Sequence, residues 1–128
     1  MSDSGNTASQ LVDLCSLDEL PSRGARGFDL YGKGRDSLFV LRHQGALRGY
    51  FNLCPHQGAS LPWQKDKYLN ANGTRIVCHA HGAQFDIDTG ECVLGPALGK
   101  RLFPVELTVA KDGMVKARVG KFRVGDER

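Results

Sequence analysis

The chain has 128 residues, of which 41% are hydrophobic and 24% charged, enough apolar chain for one core and too little for two ordinary domains. Its N-terminal MSDSGNTASQ has no basic-then-apolar leader pattern, and no uncharged apolar run reaches the roughly 20 residues that cross a bilayer. The expectation is a single cytoplasmic domain over residues 1–128, ordered from about 10 to 119, that contacts no membrane. A net charge of +3, without a dense basic cluster interleaved with exposed aromatics, argues against nucleic acid.

In chain order, QLVDLC (10–15) reads as a first strand and SLDEL (16–20) as a capped helical turn at most. SLFVLRH (37–43) and ALRGYFN (46–52) are apolar, aromatic-rich strands joined by a short Gln44-Gly45 turn, the second continuing to Cys54. A polar segment, QKDKYLNANG (64–73), reads as a surface hairpin whose Asn72-Gly73 turn launches TRIVCH, a strand ending at Cys78. VLGPALG (93–99) is a loop containing Pro96. PVELTVAKDGMVKARV (104–119) alternates at Val105, Leu107 and Val109, turns at Asp112-Gly113, and alternates again at Val115, Ala117 and Val119. No segment holds a helical period for three turns. The 16 glycines fall between the apolar runs, as turns require. The fold class is therefore all-β, a small antiparallel sandwich or barrel.

Charge is unevenly spread. From Lys100 onward there are eight bases (Lys100, Arg101, Lys111, Lys116, Arg118, Lys121, Arg123, Arg128) against four acids (Glu106, Asp112, Asp126, Glu127). The run suits a docking surface for an acidic partner or, as charge runs more commonly prove to be, a solvated strand face.

Four cysteines in a reducing compartment point to metal binding or plain burial rather than disulfides. Cys54-x-His56 and Cys78-x-x-His81 each sit on a loop leaving a strand. Pro55, Gly58 and Gly82 bend those loops so that two thiolates and two imidazoles can converge. Zinc, or a pair of irons bridged by sulfide, takes such a set. Structural zinc sites usually draw both cysteines from one knuckle, whereas here each loop gives one cysteine and one histidine. The glycine-rich, apolar loops also suit a shielded iron–sulfur cluster with backbone N–H groups aimed at its sulfurs. A zinc-binding structural or interaction module stays as the lesser alternative. His43 and His79 read as surface residues and Cys15 and Cys92 as small apolar strand residues. Trp63 is either a docking residue or an aromatic packing the loop base.

With CPHQGASL (54–61), CHAHGAQFDIDTGE (78–91) and Pro96 following, the chain resembles the Rieske family of [2Fe–2S] proteins over about 10–119. The resemblance implies a cluster-binding part of loops and short strands, about 52–98, built on the β domain. It implies that Cys54 and Cys78 hold one, buried iron, that His56 and His81 hold the other, outer iron, and that Pro96 belongs to a loop packed over the cluster. Gly58, Ala59, Ala80, Gly82, Ala83 and Phe85 would surround it. The 21 residues between His56 and Cys78 form a longer spacer than the family usually has.

The family also implies a function. High-potential members of respiratory complexes carry a further cysteine on each ligand loop, paired in a disulfide; those positions are Ala59 and Ala80 here, so that link is absent. The chain is too short for an oxygenase large subunit. It therefore resembles the free-standing ferredoxins of ring-hydroxylating oxygenase systems, one-electron carriers between a flavin reductase and a terminal oxygenase or other oxidoreductase. A nitrite-reductase small-subunit-like protein is the alternative. Neutral imidazoles in place of two thiolates bring the oxidised cluster from a charge of −2 to zero, which eases reduction at the histidine-ligated iron. High-potential relatives have serine and tyrosine donors where this chain has Ala83 and Phe85, so the potential is expected near the bottom of the Rieske range of about −150 to +300 mV.

Overall fold

The computed structural model describes residues 8–21, 24–55, 58–62 and 64–120. The expected ligand His56 and the aromatic Trp63 lie outside the described residues, as do the basic positions Lys121, Arg123 and Arg128.

Nine strands are described, with no α-helix among the described residues: β1 (Ala8–Ser16), β2 (Ala25–Phe28), β3 (Leu38–His43), β4 (Ala46–Phe51), β5 (Arg75–Val77), β6 (Gln84–Asp86), β7 (Cys92–Leu94), β8 (Glu106–Val109) and β9 (Met114–Gly120). They form three antiparallel three-stranded sheets, ordered β1-β9-β8, β2-β3-β4 and β5-β6-β7. The expected helical turn is a single 3-10 turn, Leu17–Glu19, closed by a capping box. Ser16 Oγ accepts from the Asp18 N–H while the Glu19 carboxylate accepts from the Ser16 N–H.

The first two sheets join into an open barrel. Past β4, the segment leading into β8 continues the pairing: Phe51 N–H donates to the Phe103 carbonyl at 2.9 Å and Val105 N–H to the Gly49 carbonyl at 2.9 Å. The two long hairpins expected from the alternation are both present. Gln44 and Gly45 have φ of 52° and 82°, the left-handed pair that a two-residue turn between twisted strands demands. In the β8–β9 hairpin Val115, Ala117 and Val119 are buried, but the alternation fades at Val109, which is 45% exposed beside the turn.

Strand β3 explains the unbroken apolar run Leu38, Phe39, Val40 and Leu41. Leu38 and Val40 enter a core shared with Cys15, Val105, Val115 and Ala117. Phe39 and Leu41 face the opposite way into a second core that contains Cys54, Cys78, Ala83 and Phe85. A strand covered on both faces needs apolar residues at successive positions rather than alternate ones.

Two short strands, β2 and β6, were not expected. β2 carries only Ala25, Arg26, Gly27 and Phe28. Gly27 is required there, since a Cβ would fall 1.8 Å from Asp36 Oδ2. β6 and β7 flank the Asp86-to-Glu91 turn, and Leu94, expected in a loop, ends β7. The 64–73 segment does form a hairpin, with Asn70 N–H donating to the Arg75 carbonyl and Val77 N–H to the Tyr68 carbonyl. It is not wholly a surface feature: Tyr68 is fully buried and stacks on Phe39 with ring centroids 4.0 Å apart. Its hydroxyl donates to Asp36 Oδ2 at 2.8 Å. Burial, and that carboxylate, push the Tyr68 hydroxyl far above the ordinary tyrosine range.

Candidate metal centre

The two cysteine loops sit at one end of the third sheet and share a hydrogen-bond pattern. In the first, Cys54 N–H donates to the Ala59 carbonyl at 2.8 Å and Gly58 N–H to the Cys54 carbonyl at 2.7 Å; in the second, Cys78 N–H donates to the Ala83 carbonyl at 2.8 Å and Gly82 N–H to the Cys78 carbonyl at 2.7 Å. Gly58 and Gly82 have φ of 75° and 79°, a conformation that glycine adopts at no steric cost. The two loops thus share these hydrogen bonds, with glycine four residues and alanine five residues after each cysteine.

Both thiols lie in the same core. Cys54 and Cys78, 1% and 0% exposed, belong to one buried cluster with Ala83, Phe85 and Ala97, against which Ala59 packs. His81, Ala80 and Gly82 are exposed on the outer side. Buried thiols below and an exposed imidazole at the rim form a polarised donor set, soft sulfur inside and nitrogen outside. Such a set fits a shielded iron–sulfur cluster with one wet edge.

Cys54 does not end β4, as the sequence suggested. The strand stops at Phe51 because the chain turns sharply at Asn52, where Leu53 N–H donates back to the Phe51 carbonyl at 2.9 Å, the hydrogen bond of a three-residue turn. Cys78, by contrast, directly follows β5.

The third loop closes the site from the side. Gly95, at φ 101°, lies so close that a Cβ there would be 2.8 Å from the Ala83 Cα. Ala97 is fully buried in the site's core while Pro96 and Leu98 are exposed. Lys100 Nζ donates to the Pro55 carbonyl at 3.5 Å, linking this loop to the first. His79, expected to face solvent, is exposed, yet its backbone N–H donates to the Leu61 carbonyl at 2.9 Å and its Nδ1 lies 3.3 Å from the same oxygen. His43 is also more than plain surface: its Nδ1 is 3.1 Å from Asp88 Oδ1. Cys15 and Cys92 are buried strand residues, as expected. Burial raises the Cys15 thiol pKa.

Among the described residues of the basic run, three bases have acidic partners. Arg101 pairs with Glu91 at 2.8 Å, Lys116 with Asp13 at 2.6 Å and Arg118 with Glu106 at 3.5 Å, which favours the solvated-face reading.

An open β barrel, a third small sheet and two buried cysteines on matching loops fit a small iron–sulfur electron-transfer domain. A family model for Rieske [2Fe–2S] domains matches residues 10–118, and the chain belongs to that family, whose domain binds a [2Fe–2S] cluster. Among its relatives is the ferredoxin component of the alkene monooxygenase system of Xanthobacter autotrophicus, 28% identical over 98 residues, which cover 77% of this chain and 75% of the relative. Another is the cytochrome b6-f complex iron–sulfur subunit 1 of the Cyanophora paradoxa cyanelle, 34% identical over 106 residues, covering 81% of this chain but 41% of that protein. The Sphingomonas yanoikuyae B1 ferredoxin is similar in structure, with a TM-score of 0.61, 26% identity and coverage of 84% of this chain and 97% of that one. The function these relationships support is that of a Rieske ferredoxin, a one-electron carrier. Among the described residues no helix is long and apolar enough to cross a membrane.

Proposed function

We propose that Cys54 and Cys78 hold the inner iron and His56 and His81 the outer iron, and that the protein carries single electrons in the cytoplasm from a flavin-containing, nicotinamide-linked reductase to a terminal oxygenase or related oxidoreductase. The observation that carries the reading is the pair of matching loops, whose thiols are both buried while His81 is at the surface. A [2Fe–2S] cluster supplies reversible one-electron chemistry when bound there. The chain's own part is to exclude water from the thiols with Ala83, Phe85 and Ala97, to direct the loops inward through the Gly58 and Gly82 turns, and to present an imidazole edge to a partner. Ala80 and Gly82, on either side of His81, and Pro96 and Leu98 of the third loop are exposed as well, so apolar surface is available to a partner. The oxygenase systems are named for the relatives; the alanines at 59 and 80 support the same assignment here.

The test is spectroscopic. The dithionite-reduced protein is expected to give a rhombic EPR signal with average g below the free-electron value. His81→Ala removes it and His79→Ala leaves it. A silent sample with stoichiometric zinc, or the reverse dependence on the two histidines, refutes the ligand set.

A further inference from the structure

The two ligand loops share their internal hydrogen bonds but have different necks. The second is the tip of a hairpin: β5 and β6 pair below it, with Val77 opposite Gln84 and Ile76 opposite Phe85. The first has no such ladder, because the residues after it, 58–62, form no strand. Something else has to hold its two ends together.

Asn52 does so. Among the described residues it is the one buried polar or charged residue, 5% exposed. It stands two residues before Cys54, and its side-chain amide spans the neck. Nδ2 donates to Ser60 Oγ at 2.8 Å and to the Asp36 carbonyl at 3.0 Å, while Oδ1 accepts the Leu61 N–H at 2.7 Å. Both amide hydrogens and the amide oxygen are thereby used. Its backbone N–H donates to the Ser37 carbonyl at 2.9 Å, and the Leu61 carbonyl receives the His79 N–H at 2.9 Å. The connections run from the turn before β3, through the Asn52 amide, to the exit of the first loop, and on to the residue after Cys78.

We infer that Asn52 is the positioning residue that closes the first ligand loop and ties it to the second, in a chain whose loops carry no disulfide between them. The inference rests on the Rieske reading and adds to it a residue that touches no ligand atom. Truncation leaves the Leu61 N–H buried without a partner as well as opening the neck. No disulfide between the loops then limits how far Cys54 can move from Cys78 when the cluster is challenged.

The experiment uses the cluster-loaded protein and reads two quantities well below the melting temperature: the EPR g-values of the reduced form and the rate of visible bleaching by an iron chelator. Asn52→Ala is expected to bleach roughly tenfold faster or more, the scale set by one unpaired buried hydrogen-bonding group, with displaced g-values. Ser60→Ala, which removes one of the three contacts, and Asn52→Asp, which keeps the acceptor for Leu61, should fall between that variant and wild type. Val115→Ala, in the core on the far side of β3, lowers the melting temperature without changing the g-values or the bleaching rate. Wild-type g-values and bleaching in Asn52→Ala overturn the inference, and so does equal acceleration by Val115→Ala. If Asn52→Ala does not accumulate, wild-type behaviour in both Ser60→Ala and Asn52→Asp overturns it. A wild-type protein that never binds a cluster would instead refute the Rieske reading itself.

Discussion

Replacing Gly95 by alanine probes how the third loop guards the site, and Gly99 in the same loop provides the internal reference. Both glycines have strongly positive φ, 101° and 90°, so alanine at either position meets backbone strain of order 1–3 kcal/mol. Their surroundings differ. A Cβ at Gly95 would lie 2.8 Å from the Ala83 Cα and 3.3 Å from both the Ala83 N and the Gly82 O, whereas at Gly99 nothing stands within 4 Å. The obstructing atoms are backbone, and Ala83 is fixed by the bond its carbonyl receives from the Cys78 N–H. The third loop must therefore move outward, taking buried Ala97 with it. Overpacking of this kind costs about 1–3 kcal/mol, so Gly95→Ala should populate the opened loop about 5- to 150-fold more than Gly99→Ala. Chelator-driven decay of visible absorbance in the loaded protein measures that ratio, and thermal melts record the shared strain. Equal decay rates in the two variants would show that the loop's contact with Ala83 does not protect the site.

Two further outcomes follow from buried groups. Ala83→Ser restores the hydroxyl that high-potential relatives carry, and the reduction potential should rise by up to about 60–130 mV, from 1.5–3 kcal/mol for a hydrogen bond to a charged acceptor and about 59 mV per 1.4 kcal/mol for one electron; an unchanged potential in a redox titration, or a wild-type value well above zero, contradicts the donor argument. Tyr50 donates to the Ile87 carbonyl at 2.7 Å, and burial pushes its pKa up to about 12, so the folded state keeps a proton that the unfolded chain releases near pH 10. Stability is then fully present below about pH 10 and falls between about pH 10 and 12; Tyr50→Phe should flatten that decline in denaturant melts, and an unaltered alkaline slope would rule Tyr50 out as its source.

What could be read from the chain depended on whether the signal was local. Gln44-Gly45 and Asp112-Gly113 announce their hairpins because the turn chemistry lies between two alternating runs. The family's ligand loops are readable because cysteine, histidine and glycine keep fixed spacings. β2 was not readable: Ala25 to Phe28 has neither alternation nor β-branched residues, and it exists because β3 offers an edge and Asp36 needs a glycine opposite. Tyr68 was hidden in a polar segment because its partners, Phe39 and Asp36, are distant in sequence. Asn52 was missed for the same reason. An asparagine at the end of an apolar run reads as one more strand residue, and only the fold shows that its amide reaches Ser60, Leu61 and Asp36.

The arrangement of cores bears on how such a carrier stays rigid. Successive residues of β3 serve different halves of the molecule, Leu38 and Val40 the barrel and Phe39 and Leu41 the metal site. The strand cannot shift by one residue without exchanging the two sets, which fixes its register strongly. Asn52 and Asp36 hang the first ligand loop from the ends of this same sheet, and Tyr68 stacks on Phe39 to carry the hairpin that leads into the second. Both cysteines are thus referred to one strand, by a side-chain amide on one side and an aromatic stack on the other. A close-packed core transmits strain rather than absorbing it, so the spacing of the two thiols is set by the barrel beneath them.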